Sequence, residues 1–61
     1  MRISLTKPVW NEMIYPKGTP GRYIELMSAD DGVHKVELTD AMGVTHPVIL
    51  FDDEFRYVSD N

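Results

Sequence analysis

Proline and glycine interrupt the first third of the chain, and they decide which structures it can form. Residues 7–21 contain three prolines and two glycines. Proline lacks a backbone N–H, and inside a helix its ring clashes with the preceding turn. This stretch therefore excludes a long helix and a central strand. We expect a long irregular loop here, held in place by its few large apolar side chains, Trp10, Met13, Ile14 and Tyr15.

The segments outside this loop alternate apolar and polar residues, which is typical of half-buried strands. Such segments are residues 2–6, 22–28, 33–39, 44–51 and 56–58. In the fourth, the run Val48–Phe51 is apolar on both faces, so we expect it to be covered on both sides, and Pro47 suits an edge strand. The acidic residues after it predict one short helical turn capped by Asp52.

The hairpin between the second and third segments can be predicted in more detail. Asp30-Asp31-Gly32 separates the two strands, and Gly32 suits a left-handed position in a three-residue loop. This loop would pair Leu26 with Val36 and Ile24 with Leu38, whereas a two-residue loop would mix apolar and polar faces. A second turn, Asp40–Gly43, is predicted with its glycine at the left-handed end.

The element order is a short strand, a long loop, a three-strand meander, one helical turn and a last strand. A meander of this size cannot bury its apolar face alone, so the predicted fold class is all-β, a small, strongly bent, five-stranded barrel. This order resembles the small barrels of the Src-homology-three type. The motifs of the peptide-binding branch are absent, because the first strand reads Ile3-Ser4-Leu5-Thr6 and the single tryptophan is Trp10. Recognition of proline-rich peptides is therefore not implied.

Length and composition narrow the class of protein. A chain of 61 residues makes one domain, residues 1–61, and its lack of cysteine excludes disulfides, cysteine zinc sites, iron–sulfur clusters and thiol nucleophiles. Ten acidic residues against six basic ones give a net charge of -4, which argues against generic nucleic-acid binding. No apolar run approaches the roughly 18 residues of a membrane span, and no signal-peptide pattern follows Met1. These features predict a soluble cytoplasmic protein.

Enzymatic and metal chemistry lack their usual residue patterns. No Gly-x-Ser-x-Gly motif is present, and the consecutive carboxylates Asp52, Asp53 and Glu54 do not suit a two-carboxylate mechanism. His34 and His46 are too few for a zinc site, and the loop Lys17–Arg22 lacks the ending of a phosphate-binding loop. We therefore expect no catalysis, metal or cofactor.

Binding to another protein is the leading functional prediction, because Tyr and Trp are enriched at interface hot spots. We expect Tyr15, Tyr23 and Tyr57 to be exposed, and we expect Trp10 and Phe55 to pack into the ends of the barrel. The candidate binding residues are Trp10, Tyr15, Tyr23, Asp52, Asp53, Glu54 and Tyr57.

The expected role is an accessory factor, of bacterial or phage type, that modulates a host protein. The alternative is a nucleic-acid-linked role, either as an acidic DNA mimic or as a weak nucleic-acid binder. A third hypothesis is a weak homo-oligomer that pairs its sheet edges, since an open edge can accept an added strand.

Overall fold

A computed structural model of the chain describes residues 1–59, so residues 60 and 61 of the predicted domain lie outside the described part. These residues form five antiparallel strands and one 3₁₀ turn, so the all-β prediction is confirmed. None of them belongs to a helix with the length and apolar character that crossing a membrane requires. The elements are β1 (Arg2–Leu5), β2 (Pro20–Ser28), β3 (Val33–Thr39), β4 (Thr45–Phe51), the 3₁₀ turn (Asp52–Glu54) and β5 (Phe55–Val58).

The strands make a single sheet in the order β4-β3-β2-β1-β5, and this sheet is not closed. Neighbouring strands lie about 4.8 Å apart, so β3 and β5 would be separated by about 14 Å in a flat sheet. The rings of His34 on β3 and Phe55 on β5 nevertheless lie with their centroids 5.1 Å apart. The sheet therefore curls strongly, and its concave face encloses the core.

The core takes alternate residues from four strands and two residues from the long loop. Val9 and Tyr15 of this loop are buried at 4 % and 5 % exposure. The backbone N–H of Val9 donates to the carbonyl of Tyr15, and the N–H of Leu5 donates to the carbonyl of Thr19, which fastens the loop against β1. The buried apolar residues are Ile3, Leu5, Val9, Tyr15, Val36, Leu38, Val48, Leu50 and Phe55.

The predicted pairing of β2 with β3 is wrong. Leu26 lies opposite His34, Tyr23 lies opposite Val36, and the register shifts twice along the pair. Ile24 and Leu26, the predicted core residues, are 40 % and 52 % exposed. The predicted pairing requires an unbroken ladder of hydrogen bonds between β2 and β3. Two bulges interrupt this ladder and change which residues of β2 face the core.

The turn between β2 and β3 also differs from the prediction. Ser28 pairs with Val33, so four residues separate the paired positions instead of three. The left-handed conformation predicted for Gly32 is confirmed, with φ 64°. The one for Gly43 in the next turn is confirmed as well, with φ 84°.

Strand β4 is an edge of the sheet, as Pro47 predicted. Val48 and Leu50 are buried, but Ile49 and Phe51 are 46 % and 53 % exposed. The expectation that β4 is covered on both sides is therefore wrong, since one face of an open sheet can remain in water.

Candidate functional site

The predicted binding residues fall at two separate places. Asp52 lies beside His34, at the start of β3. Trp10 lines a groove together with His46. His46 pairs with Leu38, near the end of β3. His34 and Leu38 are four residues apart in β3, which corresponds to about 13 Å along the strand, so the two places are well separated. The structure brings together Tyr23, Tyr57 and the acidic turn at one end of the sheet, and it holds Trp10 and Tyr15 at the other.

At the first end, His34 connects three elements of the fold. It is buried, its Nδ1 lies 2.9 Å from the hydroxyl of Tyr23, and its Nε2 is hydrogen-bonded to the carboxylate of Asp52. This geometry fits an imidazole that accepts from the tyrosine and donates to the carboxylate. Asp52 therefore ties the 3₁₀ turn to β3. The prediction that its side chain caps the turn is wrong, because Phe51 is the N-cap residue.

Aromatic rings pack around this histidine. Phe55 is buried, and its ring centroid lies 5.7 Å from that of Tyr57, while Tyr23 and Tyr57 are 5.8 Å apart. Burial raises the pKa of Tyr23, and the neighbouring Tyr57 adds to this effect. Tyr23 is half-buried and its hydroxyl is bonded to His34, so the expectation that it is exposed is wrong, whereas Tyr57 is 52 % exposed.

Each carboxylate of the acidic turn has a partner within the chain. Asp53 forms an ion pair with Lys7, with 2.8 Å between Oδ2 and Nζ, and this pair lowers the pKa of Asp53 and raises that of Lys7. Glu54 Oε1 accepts a hydrogen bond from the backbone N–H of Phe51. Because Asp52 is bonded to His34, all three carboxylates of the acidic turn are engaged within the chain, where they hold the turn against the rest of the fold.

At the second end, the long loop holds Trp10 in water. Trp10 is 81 % exposed, and its φ of 60° lies in the left-handed region, which costs a non-glycine residue about 1–2 kcal/mol. The loop is tight because the Asn11 side chain accepts from Met13 N–H and the Asn11 carbonyl accepts from Ile14 N–H and Tyr15 N–H. Strained backbone of this kind clusters at functional sites.

The exposures of Trp10 and Tyr15 are the reverse of what the sequence led us to expect. Tyr15 is buried at 5 % exposure and anchors the loop in the core, together with Val9. Trp10 lies between Val9 and Tyr15 in the sequence, but its side chain is exposed to water instead of packing into the core. Tyr15 therefore supports the site, and Trp10 is its exposed ring.

Other exposed apolar side chains surround Trp10. A groove of about 400 Å³ is lined by Trp10, Ile14, Tyr15, Asp40, His46, Pro47 and Val48. A second hollow of about 420 Å³ is lined by Met13, Ile14, Asp40, Ala41 and Met42. The two share Ile14 and Asp40, so they form one continuous surface. We call it the Trp10 surface, and its apolar members are Trp10, Met13, Ile14, Met42 and Pro47.

Among the described residues that line these two hollows, Asp40 alone carries a formal charge, and Lys17 lines a third hollow that shares Asp40 and Ala41 with them. Its Oδ1 accepts hydrogen bonds from the backbone N–H groups of Met42 and Val44, at 2.9 and 3.0 Å. Its side chain is only 14 % exposed, and Oδ2 lies 3.9 Å from Nε2 of His46. The turn thus fixes a partly buried carboxylate at the base of an apolar surface.

Asp40, Met42 and Pro47 were not predicted as members of a site. Met13 and Met42 are 84 % and 87 % exposed, and two large apolar residues in loops are a signal that could have been used. The juxtaposition of the long loop with the turn after β3 has no sequence pattern, because it depends on the curl of the sheet.

Within residues 1–59, no group of three or more His, Asp or Glu side chains is placed to hold a metal ion. Comparisons of the chain with protein-family models, with curated proteins and with solved structures found no match.

Proposed function

We propose that the chain is a non-enzymatic protein-interaction module that docks a partner protein through the Trp10 surface. The observation that carries this proposal is the exposed, left-handed Trp10, held out by a loop whose two ends are buried. Tryptophan is enriched among the residues that dominate binding energy, and binding residues commonly lie on loops of a rigid scaffold. Exposed Met13 and Met42 beside it add adaptable apolar contacts.

The finer fold assignment belongs to the same proposal. Strand β1 pairs with both β2 and β5, and the 3₁₀ turn joins β4 to β5. This connectivity supports a barrel of the Src-homology-three type. A cytoplasmic location and a role as a bacterial or phage accessory factor stay predictions from the sequence.

The partner docks through side chains rather than by adding a strand to β4. Residues two apart in a strand direct their N–H groups to the same side, so Pro47, Ile49 and Phe51 share one side of β4. Pro47 has no N–H, and that of Phe51 is bonded to Glu54. On that side Thr45 and Ile49 keep N–H groups that an added strand could use, and interruptions such as those at Pro47 and Phe51 are how edge strands avoid pairing.

The nucleic-acid-linked alternative has less support. A DNA mimic presents a row of unengaged carboxylates, whereas those of Asp52, Asp53 and Glu54 are bonded within the chain. Retention of the protein on a DNA column, or inhibition of a DNA-binding enzyme that depends on Asp53, would revive this alternative.

Affinity capture with matched variants tests the proposal. Wild-type protein and the Trp10→Ala variant are immobilised, and proteins bound from a bacterial lysate are quantified by mass spectrometry. Met27→Ala is the control, because Met27 is also apolar and 51 % exposed but lines neither hollow of the Trp10 surface. We expect a protein retained by wild type and by Met27→Ala and lost with Trp10→Ala. Equal retention by all three proteins would contradict the proposal.

A further inference from the structure

We propose that the Trp10 surface recognises a lysine or arginine side chain of the partner, with its cation at Oδ2 of Asp40 and its aliphatic stem along Trp10 and Pro47. This inference rests on the proposed function and names the chemistry that the surface selects. The occupant is a basic residue in a segment of a partner protein.

Asp40 lines the groove, and one of its two carboxylate oxygens accepts no hydrogen bond from the described residues. Oδ1 is bonded to the N–H groups of Met42 and Val44, which fixes the side chain in place. Oδ2 is 3.9 Å from Nε2 of His46, beyond hydrogen-bond distance. With 14 % of the side chain exposed, the carboxylate is largely removed from water, so a cation is attracted more strongly than at an open surface.

Charge complementarity decides among possible occupants. Because Asp40 is the only formally charged lining residue of both hollows, an acidic side chain is repelled there. A purely apolar side chain would cover the carboxylate without giving it a partner, which is costly. A basic side chain meets both needs, since its stem packs on apolar groups while its head reaches the charge.

Trp10 contributes to the same selection. Its indole lines the groove that Asp40 also lines, and the face of a tryptophan ring attracts a cation. The net charge of -4 further favours the approach of a basic segment. Both features attract the positive charge of the side chain, in addition to the apolar contact that Trp10 offers to its stem.

Two capped tripeptides test the inference by ¹H–¹⁵N NMR titration, acetyl-Leu-Arg-Leu-amide and acetyl-Leu-norleucine-Leu-amide. They differ in the guanidinium group and share an aliphatic stem. We expect the arginine peptide to shift the Trp10 indole N–H and the Met42 and Val44 backbone N–H resonances, with a Kd about tenfold lower than that of the norleucine peptide.

Matched variants separate the carboxylate from overall charge. Asp40→Asn keeps a side-chain oxygen for the two backbone N–H groups and removes the charge, so the preference for arginine should disappear. Asp30→Asn removes the same charge from the exposed turn between β2 and β3, and the preference should persist. Equal weakening by both variants would overturn the inference, because only net charge would then matter.

The remaining outcomes distinguish this inference from the proposed function. Equal binding of the two peptides at Trp10, or no shift with either peptide, overturns recognition of a cation. The proposed function would still stand if the lysate capture depended on Trp10. Conversely, arginine-selective shifts without Trp10-dependent capture would support the cation site and contradict the docking of a partner protein.

Discussion

Gly32 lies directly against the carboxylate of Asp52. A Cβ atom built on Gly32 would overlap Oδ2 of Asp52, and the backbone N–H of Asp52 donates to the carbonyl of Gly32 at 3.0 Å. The turn between β2 and β3 therefore touches the 3₁₀ turn at a point where no side chain fits. The Asp52 carboxylate that fills this space is the one bonded to His34.

Replacing Gly32 with alanine should destabilise the fold more than the same change at Gly43. Both glycines have positive φ, so both substitutions introduce backbone strain of about 1 kcal/mol. At Gly43 the added methyl meets open space, whereas at Gly32 it displaces Asp52. We expect a loss of about 1 kcal/mol for Gly43→Ala and of about 2 kcal/mol or more for Gly32→Ala, measured by urea unfolding. Equal losses would mean that Asp52 moves aside freely.

The left-handed conformation of Trp10 predicts an unusual ranking of two substitutions. Trp10 is 81 % exposed, so either truncation removes little packing. Glycine adopts the left-handed conformation without the strain that alanine retains. Trp10→Gly should therefore be more stable than Trp10→Ala by about 1 kcal/mol, although both should lose partner capture.

Tyr57 is the control position for this comparison of glycine with alanine substitutions. It is about half exposed, and it lies in β5, where the backbone has no positive φ. Tyr57→Gly should be less stable than Tyr57→Ala by about 0.5–1 kcal/mol, since glycine weakens a strand. Thermal unfolding of the four variants measures both differences, and the same sign at both positions would be evidence against strain at Trp10.

Removal of the Glu54 side chain should promote association of β4 edges. The Glu54 carboxylate occupies the N–H of Phe51, and β4 has no Lys, Arg, Asp or Glu to keep another strand away. Glu54→Ala should therefore raise the average mass in sedimentation as protein concentration increases. Glu54→Gln keeps an oxygen that can accept from Phe51, so it should sediment like wild type. The edge is not controlled by this hydrogen bond if the two variants behave alike.

The Lys7–Asp53 ion pair predicts a pH dependence with a defined sign. The pKa of Asp53 is lowered, so its stabilisation is present above the unfolded value of about 3.9 and is lost as pH falls through the folded value. The pKa of Lys7 is raised, so its stabilisation is present below about 10.4 and is lost as pH rises through the folded value. The pair therefore stabilises the fold between about pH 4 and pH 10.

Thermal unfolding of wild type and Lys7→Gln checks this window. The difference in Tm should be measurable at pH 7 in low salt, smaller in 1 M salt, and progressively smaller as pH falls towards 2, because the pair is exposed and Asp53 becomes protonated as pH falls through its lowered pKa. A difference that is unchanged at pH 2 would show that Lys7 acts through packing instead of charge.

The sequence predicts strands best where alternation and burial coincide. In β3, the alternating pattern puts Val36 and Leu38 on the buried face, and both are buried. In β2 the same reasoning selects Ile24 and Leu26, which the structure leaves exposed. Bulges cause this failure, since they shift the register without any residue type that announces them.

Gly21 illustrates a second limit. A Cβ atom on Gly21 would lie 2.8 Å from Cδ2 of Leu38 and 3.3 Å from Cγ1 of Ile3. This close approach explains why a glycine occupies the start of β2. In the sequence it reads only as part of an irregular loop, because the pairing that requires it involves two other strands.

The candidate site likewise contains residues that the sequence can identify and residues that only the folded structure brings together. Trp10 could be selected from the sequence as an aromatic residue in a loop, since its type and its context suggest binding. Met42 and Pro47 could not be selected, because the hollows that they line form only after the sheet curls. The acidic turn illustrates the opposite case, in which an obvious sequence feature is largely used for internal bonds.

The position of β1 between β2 and β5 governs the order in which the chain can assemble. Ile3 pairs with Gly21 on one side and with Tyr57 on the other, so the second pairing joins opposite ends of the chain. The two meander hairpins need only short loops and can form within microseconds, whereas joining β1 to β5 closes nearly the whole chain into a loop. Rapid formation of the meander followed by slower capture of β5 is the folding sequence that this topology favours.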